Sequence, residues 1–297
     1  MPDRSSARFL RLIGFLALSL AATAGHAGYS EGILAVQNQD FGAAFKEFTE
    51  AASQGLSSAQ AELGELYERG EGAPQDFGRA ADWYRKAAEQ GNPQGERDLG
   101  LLYDAGHGVP QSYEQAVFWI RKAADQSYAP AQATLGVMYS LGQGVDCDPT
   151  AAVALFRKAA DQGFVGGQHN LAVAYDSGYG VEQSDEKAAY WYRKAAENGH
   201  AGAQNNLGVM YVNAQGVPYD PVIAYALFTL AAARGQQEAA LNRDRLGGDM
   251  SPDQIAEAQQ ISAGWQQGTP LPDKSRTGGT RPKRVVPPNS ASHSIEA

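Results

Sequence analysis

Leu135-Gly136-Val137-Met138-Tyr139-Ser140-Leu141-Gly142-Gln143-Gly144-Val145 returns 72 residues later as Leu207-Gly208-Val209-Met210-Tyr211-Val212-Asn213-Ala214-Gln215-Gly216-Val217. Half that distance is the true period. Stepping by 36 from Leu63 reaches Leu99, Leu135, Leu171 and Leu207, with Tyr67, Tyr103, Tyr139, Tyr175 and Tyr211 four residues behind. Ala80, Ala116, Ala152, Ala188 and Ala224 form a further column, and the pairs Ala87-Ala88 to Ala231-Ala232 close each unit. Five copies without an insertion specify a repeat architecture, which takes precedence over the reading of any single element.

Each unit reads as two helices. In the first, Ala59, Leu63, Leu66 and Tyr67 stand at i, i+4, i+7 and i+8, the apolar face of a 3.6-residue period. Gly64, repeated as Gly100, Gly136 and Gly208, sits beside that face, where a missing side chain admits a neighbouring helix. Gly70 and Gly72, with Gly106/Gly108, Gly142/Gly144 and Gly178/Gly180, then stop the helix. The second helix opens at a column of capping residues, Asp40, Asp76, Ser112, Asp148, Ser184 and Asp220, whose oxygens suit unpaired first-turn N–H groups. Pro149 and Pro221 follow two of them, at the position where proline is favoured. Gly55, Gly91, Gly163, Gly199 and Gly235 end the second helix, with Ser127 as the exception.

The pattern runs past the five copies at both ends. Asp40 to Gly55 is the second half of a unit, and Glu31 to Asn38 supplies a degenerate first half. After Gly235 a helix with Ala239 and Leu241 is expected. Ser251-Pro252-Asp253-Gln254 is a capping box that opens a final helix with Ile255, Ala258 and Ile261. A terminal repeat has to cover the last apolar face with a more polar element, and this pair fits that need. From about Gly268 the Pro/Ser/Thr-rich stretch has no period and is expected to be disordered.

Arg4, Arg8 and Arg11 precede an apolar run from Leu12 to Ala24, followed by small residues. This is the pattern of a cleavable secretory signal, with cleavage after Ala24 or Ala27. The expected location is therefore periplasmic or secreted, with no stable membrane insertion, since no later run approaches the length that spans a bilayer. The chain carries a formal net charge of −9, and its first 27 residues and its tail are both net basic, so the repeat body is more acidic still. Such a body repels phosphates, so no nucleic-acid partner is expected. With one cysteine, Cys147, there is no internal disulfide to form.

The strings LGVMYSLGQGV, LGVMYVNAQGV, WYRKAAEQG and WYRKAAENG, and the closing LGGDMSPDQIAEAQ, resemble the Sel-one-like repeat family, relatives of the tetratricopeptide solenoids. The resemblance covers roughly residues 29–266. It implies an all-α, right-handed α/α superhelical solenoid of about six two-helix repeats with a C-terminal capping helix pair. The expected layout is a signal peptide at 1–27, the solenoid at 28–266 and a disordered, basic, Pro-rich tail at 267–297. The implied role is an adaptor or scaffold that binds a protein or peptide partner, as exported members do in regulation, envelope assembly or host contact. No cofactor is expected.

In tetratricopeptide relatives the first helix of each unit lines a concave groove. Carried over, that places Arg97, His169 and Asn205 in one column, Glu65, Val137, Val173 and Val209 in a second, and Glu68, Asp104 and Asp176 in a third. The groove would grade from acidic to apolar along the chain. Val137, Val173 and Val209, beside His169 and Asn205, read either as a strip that buries a peptide's side chains or as core packing.

Catalytic signals have structural readings beside them. Ser184-Asp185-Glu186-Lys187 matches S-x-x-K, the pattern of β-lactam-reactive enzymes, yet Ser184 falls in the capping column and no S-D-N or K-T-G accompanies it. Five histidines show no metal-ligand spacing. Trp83, Trp119 and Trp191 share one column that would suit sugar stacking, but Leu155 and Leu227 occupy it elsewhere, as packing would allow. An enzyme acting on β-lactams or the cell wall, and a cell-wall polysaccharide binder, are the alternatives to the adaptor.

Overall fold

A computed structural model describes residues 26–277, and every regular element among them is an α-helix. The chain divides into two compact units. The first holds α1 (26–37), α2 (Phe41–Ser53), α3 (Ser57–Arg69), α4 (Phe77–Glu89), α5 (Pro93–Ala105) and α6 (Tyr113–Asp125). The second holds most of α7 (Ala129–Leu141), then α8 (Pro149–Asp161), α9 (Val165–Ser177), α10 (Asp185–Glu197), α11 (Ala201–Asn213) and α12 (Pro221–Ala233), and ends with α13 (Gln237–Gly247) and α14 (Pro252–Gly264). Consecutive helices pair into hairpins, with one more hairpin before the five strict copies and a capping pair after them.

Caps set where the second helix of each hairpin starts. Asp40 accepts from the Ala43 N–H at 3.0 Å, Asp76 from Arg79 at 2.9 Å and Ser112 from Gln115 at 3.2 Å. Asp148 accepts from Ala151 at 3.0 Å, Ser184 from Lys187 at 3.3 Å and Asp220 from Ile223 at 3.1 Å. Each such cap contributes about 1 kcal/mol. The reciprocal bonds of the Ser251–Gln254 capping box are formed at α14.

A second column fixes how the helices of a hairpin meet. Phe48, Tyr84, Ile120, Phe156, Tyr192 and Phe228 recur every 36 residues, and none is more than 1% exposed. Tyr84, Ile120, Phe156 and Phe228 face the glycine column. A Cβ on Gly64 would lie 2.6 Å from the Tyr84 ring, and one on Gly208 would lie 2.6 Å from the Phe228 ring. Burying one such side chain contributes about 1.5–3 kcal/mol, and a β-carbon at Gly64 or Gly208 would require the facing ring to shift.

Residues 267–277 differ from the expectation of disorder. They run back along the second unit, with Leu271 only 4% exposed. The Ser275 N–H donates to Asp220 Oδ2 at 2.8 Å, and the Arg276 and Thr277 N–H groups donate to Glu257 at 2.6 and 2.8 Å. Buried carboxylates on helices that the repeat pattern had already placed satisfy amides that would otherwise need water. The expected signal segment up to residue 25, and the tail beyond Thr277, lie outside the described residues.

Candidate partner-binding site

On α3, Glu62, Glu65 and Glu68 fall three residues apart and form a half-buried stripe. Glu65, Glu68 and Arg69 line one side of a cavity of about 310 Å³. Gln94, Arg97, Asp98 and Leu101 of α5 line another side, and Tyr84 and Tyr128 complete the walls. Arg69 pairs with Glu65 at 2.6 Å and Arg97 with Asp98 at 2.7 Å, and the Tyr84 hydroxyl donates to Glu68 at 2.7 Å. The Nε of Arg97 is buried without a hydrogen-bond partner.

Carboxylates are crowded here and partly buried. Burial, then the charge of Glu65, pushes the Glu62 carboxyl up to about 7. Burial pushes Asp98 up to about 6, although Arg97 beside it acts in the opposite direction. Burial and then the Asp98 charge raise the Tyr128 hydroxyl. Carboxyls raised in this way favour a nearby cation, which would let the acids ionise.

Of the residues expected from the sequence, Glu65, Glu68 and Arg97 meet in this cavity. Asp104, half-buried on α5, is not among its lining residues, and burial raises its carboxyl. The others lie in the second unit, where all but the half-buried Asp176 are buried. Val137, Val173 and Val209 are 5%, 1% and 8% exposed, so they take the core reading, not the strip reading. His169 is 1% exposed and stacks on the His200 ring at 4.3 Å. Asn205 is fully buried and accepts from the Asn242 side chain at 3.1 Å, tying α13 to α11. Asp176 accepts from the Tyr192 hydroxyl at 3.3 Å. The reason is packing on every side: all residues from Gly167 to Tyr175 on α9, and from Gly202 to Val212 on α11, are buried.

Sequence reasoning missed Tyr84, Gln94, Asp98 and Tyr128, and also Glu62, which continues the acidic stripe without lining the cavity. The three-residue spacing of Glu62, Glu65 and Glu68 was a usable signal. The contributions of Asp98 and the two tyrosines depend on neighbouring helices and were not legible.

The remaining candidates serve structure. The Ser184 hydroxyl is the cap of α10. Trp83 and Trp119 pack against the core of the first unit and Trp191 against that of the second, with the Lys86 ammonium 3.6 Å from the Trp83 ring centre. Among the described residues no group of three or more His, Cys, Asp or Glu is arranged to hold a metal ion. No helix among them is long and apolar enough to cross a membrane.

No curated protein matches this chain in sequence. Solved structures do. The c5321 protein, a protective antigen present in uropathogenic Escherichia coli strains and displaying an SLR fold, is 34% identical with a TM-score of 0.65. The match covers 83% of this chain but only 55% of that one, so the chain spans about half of that relative's length. A Sel1 repeat protein from Oxalobacter formigenes is 29% identical over 82% of this chain and 99% of its own, with a TM-score of 0.66. The immunity protein Pa5087 from Pseudomonas aeruginosa is 23% identical over 70% of this chain and 81% of its own, with a TM-score of 0.50, a likeness of fold alone. The family model of the Sel1 repeat matches residues 57–92, 93–128, 129–164, 165–200 and 201–236 in unbroken succession. Those boundaries fall on the hairpins that the capping and glycine columns delimit, and the chain belongs to the Sel1 repeat family.

Proposed function

We propose that this chain is an exported adaptor or scaffold, periplasmic or secreted, that docks a protein or peptide partner by taking one of its basic side chains into the cavity between α3 and α5. Sel1 repeats are scaffolds for protein interaction, which supports the general role. The observation that carries the specific reading is the cavity itself. Its acids are crowded together and burial raises the Asp98 carboxyl, so added positive charge would be favoured among them. A lysine or arginine side chain would ionise Glu62 and Asp98 and find three or more acceptors at once.

Two measurements test this. Affinity capture from the native envelope should recover a partner with the wild-type chain and lose it with Glu65→Gln/Asp98→Asn, a drop in affinity of at least about tenfold. Binding should also strengthen as pH rises through the range near 6 to 7 where Asp98 and Glu62 ionise. Equal capture by both proteins, or binding that weakens over that range, refutes the cavity. Export is tested separately: the mature protein from the envelope fraction should begin at Gly25 or Gly28, and retention of Met1 refutes cleavage.

A further inference from the structure

The segment after α14 shows how an extended peptide is held against the second unit. The Leu271 N–H donates to Glu197 Oε1 at 3.0 Å, and Arg193 Nη1 donates to the Leu271 carbonyl at 3.1 Å. An arginine and a glutamate four residues apart on α10 thus satisfy both backbone groups of one residue, as the edge of a sheet would. The Leu271 side chain joins the buried apolar cluster. Pro272 has no N–H to place, and the Asp273 carboxylate lies 3.8 Å from the same guanidinium. The other guanidinium nitrogen, Nη2, bonds the Tyr211 hydroxyl and fixes the orientation of the arginine.

These residue types recur 36 residues earlier in the same unit. Arg157 Nη2 donates to the Tyr175 hydroxyl at 2.5 Å, and Asp161 follows four residues on. Both Arg157 and Asp161 are exposed. The turn beside them is open as well. A Cβ at Gly163 would meet nothing within 4 Å, whereas one at Gly199 would lie 2.8 Å from the Gln267 side chain. The pair Arg85 and Glu89 is a weaker copy, because Arg85 Nη1 is engaged by Asp82 at 3.1 Å.

We propose that Arg157 and Asp161 form an open copy of this backbone clamp and bind an extended segment of a partner protein in which an apolar residue is followed by proline and an acid. The arginine takes the carbonyl of the apolar residue, and the aspartate takes its N–H. The acid two residues on lies against the guanidinium. The chain's own tail is not the occupant, because its next amides are committed to Asp220 and Glu257 and would have to leave them. This site is independent of the cavity between α3 and α5.

The test adds a fluorescent synthetic peptide with the sequence of residues 267–277 to the full chain and follows its anisotropy. Saturable one-to-one binding is expected, weakened at least about tenfold by Arg157→Ala in the chain, and likewise by Leu271→Asp in the peptide. Arg157 is exposed, so the variant should keep its helical circular dichroism. Failure to saturate, or affinity unchanged in both Arg157→Ala and Asp161→Asn, overturns the proposal. Binding that appears only when the chain itself carries Leu271→Asp would assign peptide recognition to the occupied copy alone and also overturns it. So does sedimentation as a dimer that the same chain variant dissolves, which would make a second copy's tail the occupant.

Discussion

At the scale of single residues, the capping columns were fully legible, because a cap depends on one side chain and the three residues after it. The exceptions carry information too. Ala214 ends α11 at φ 55°, in the left-handed conformation that Gly70, Gly106 and Gly178 adopt at the same register. A β-carbon there costs about 1–2 kcal/mol, and a glycine gives back part of that through the freedom of the unfolded chain. Ala214→Gly should therefore stabilise the protein by about 0.5–1 kcal/mol. The gain should appear as a higher urea midpoint with an unchanged slope, and a lower midpoint would show that the alanine methyl makes a contact worth more than the strain. Ser127, at φ 64°, breaks the other glycine column in the same way.

Among the helices, legibility depended on which faces are covered. The sequence identified every helix but not the covered faces, since the same period describes a helix with one buried side and one buried all round. Hence α3 keeps an acidic stripe half open, whereas α9 and α11 have closed over His169 and Asn205. The segment 268–277 was illegible for a different reason: it has no period, and its anchors are carboxylates on helices remote in sequence. Glu257 is the strongest of these. Burial pushes its carboxyl up, but bonds from the Thr277 hydroxyl and the Arg276 and Thr277 amides, together with the Arg276 charge, leave it lowered. A lowered folded-state value stabilises above the usual carboxylate range and is lost as pH falls through the lowered value. The segment should therefore be held at pH 6 and released in acid below about pH 4. Proteolysis at Lys274 or Arg276, read by mass spectrometry after brief acid exposure, checks this. Glu257→Gln should be cleaved readily at pH 6 as well, and a segment equally resistant in both proteins would show that Leu271 alone anchors it.

On the scale of the whole molecule, the hairpin order followed from one number, the period, while the cavity between α3 and α5 depends on residues that do not repeat. Repeats that touch chiefly their neighbours lose stability locally. Gly100→Val illustrates this, because a Cβ there would lie 2.5 Å from the Ile120 side chain. It should lower the unfolding midpoint reported by Trp83 and Trp119 more than that reported by Trp191 and Trp265, as measured in single-tryptophan variants. A uniform shift would mean that the chain melts as one block.

The joint inside each hairpin has an evolutionary consequence. Tyr84, Ile120, Phe156 and Phe228 all fill a hollow left by glycine, so differently shaped side chains fit one socket. A gene duplication of 108 base pairs would then add a ready-made module, and the residues that choose a partner could diverge within it without disturbing the hinge that carries them.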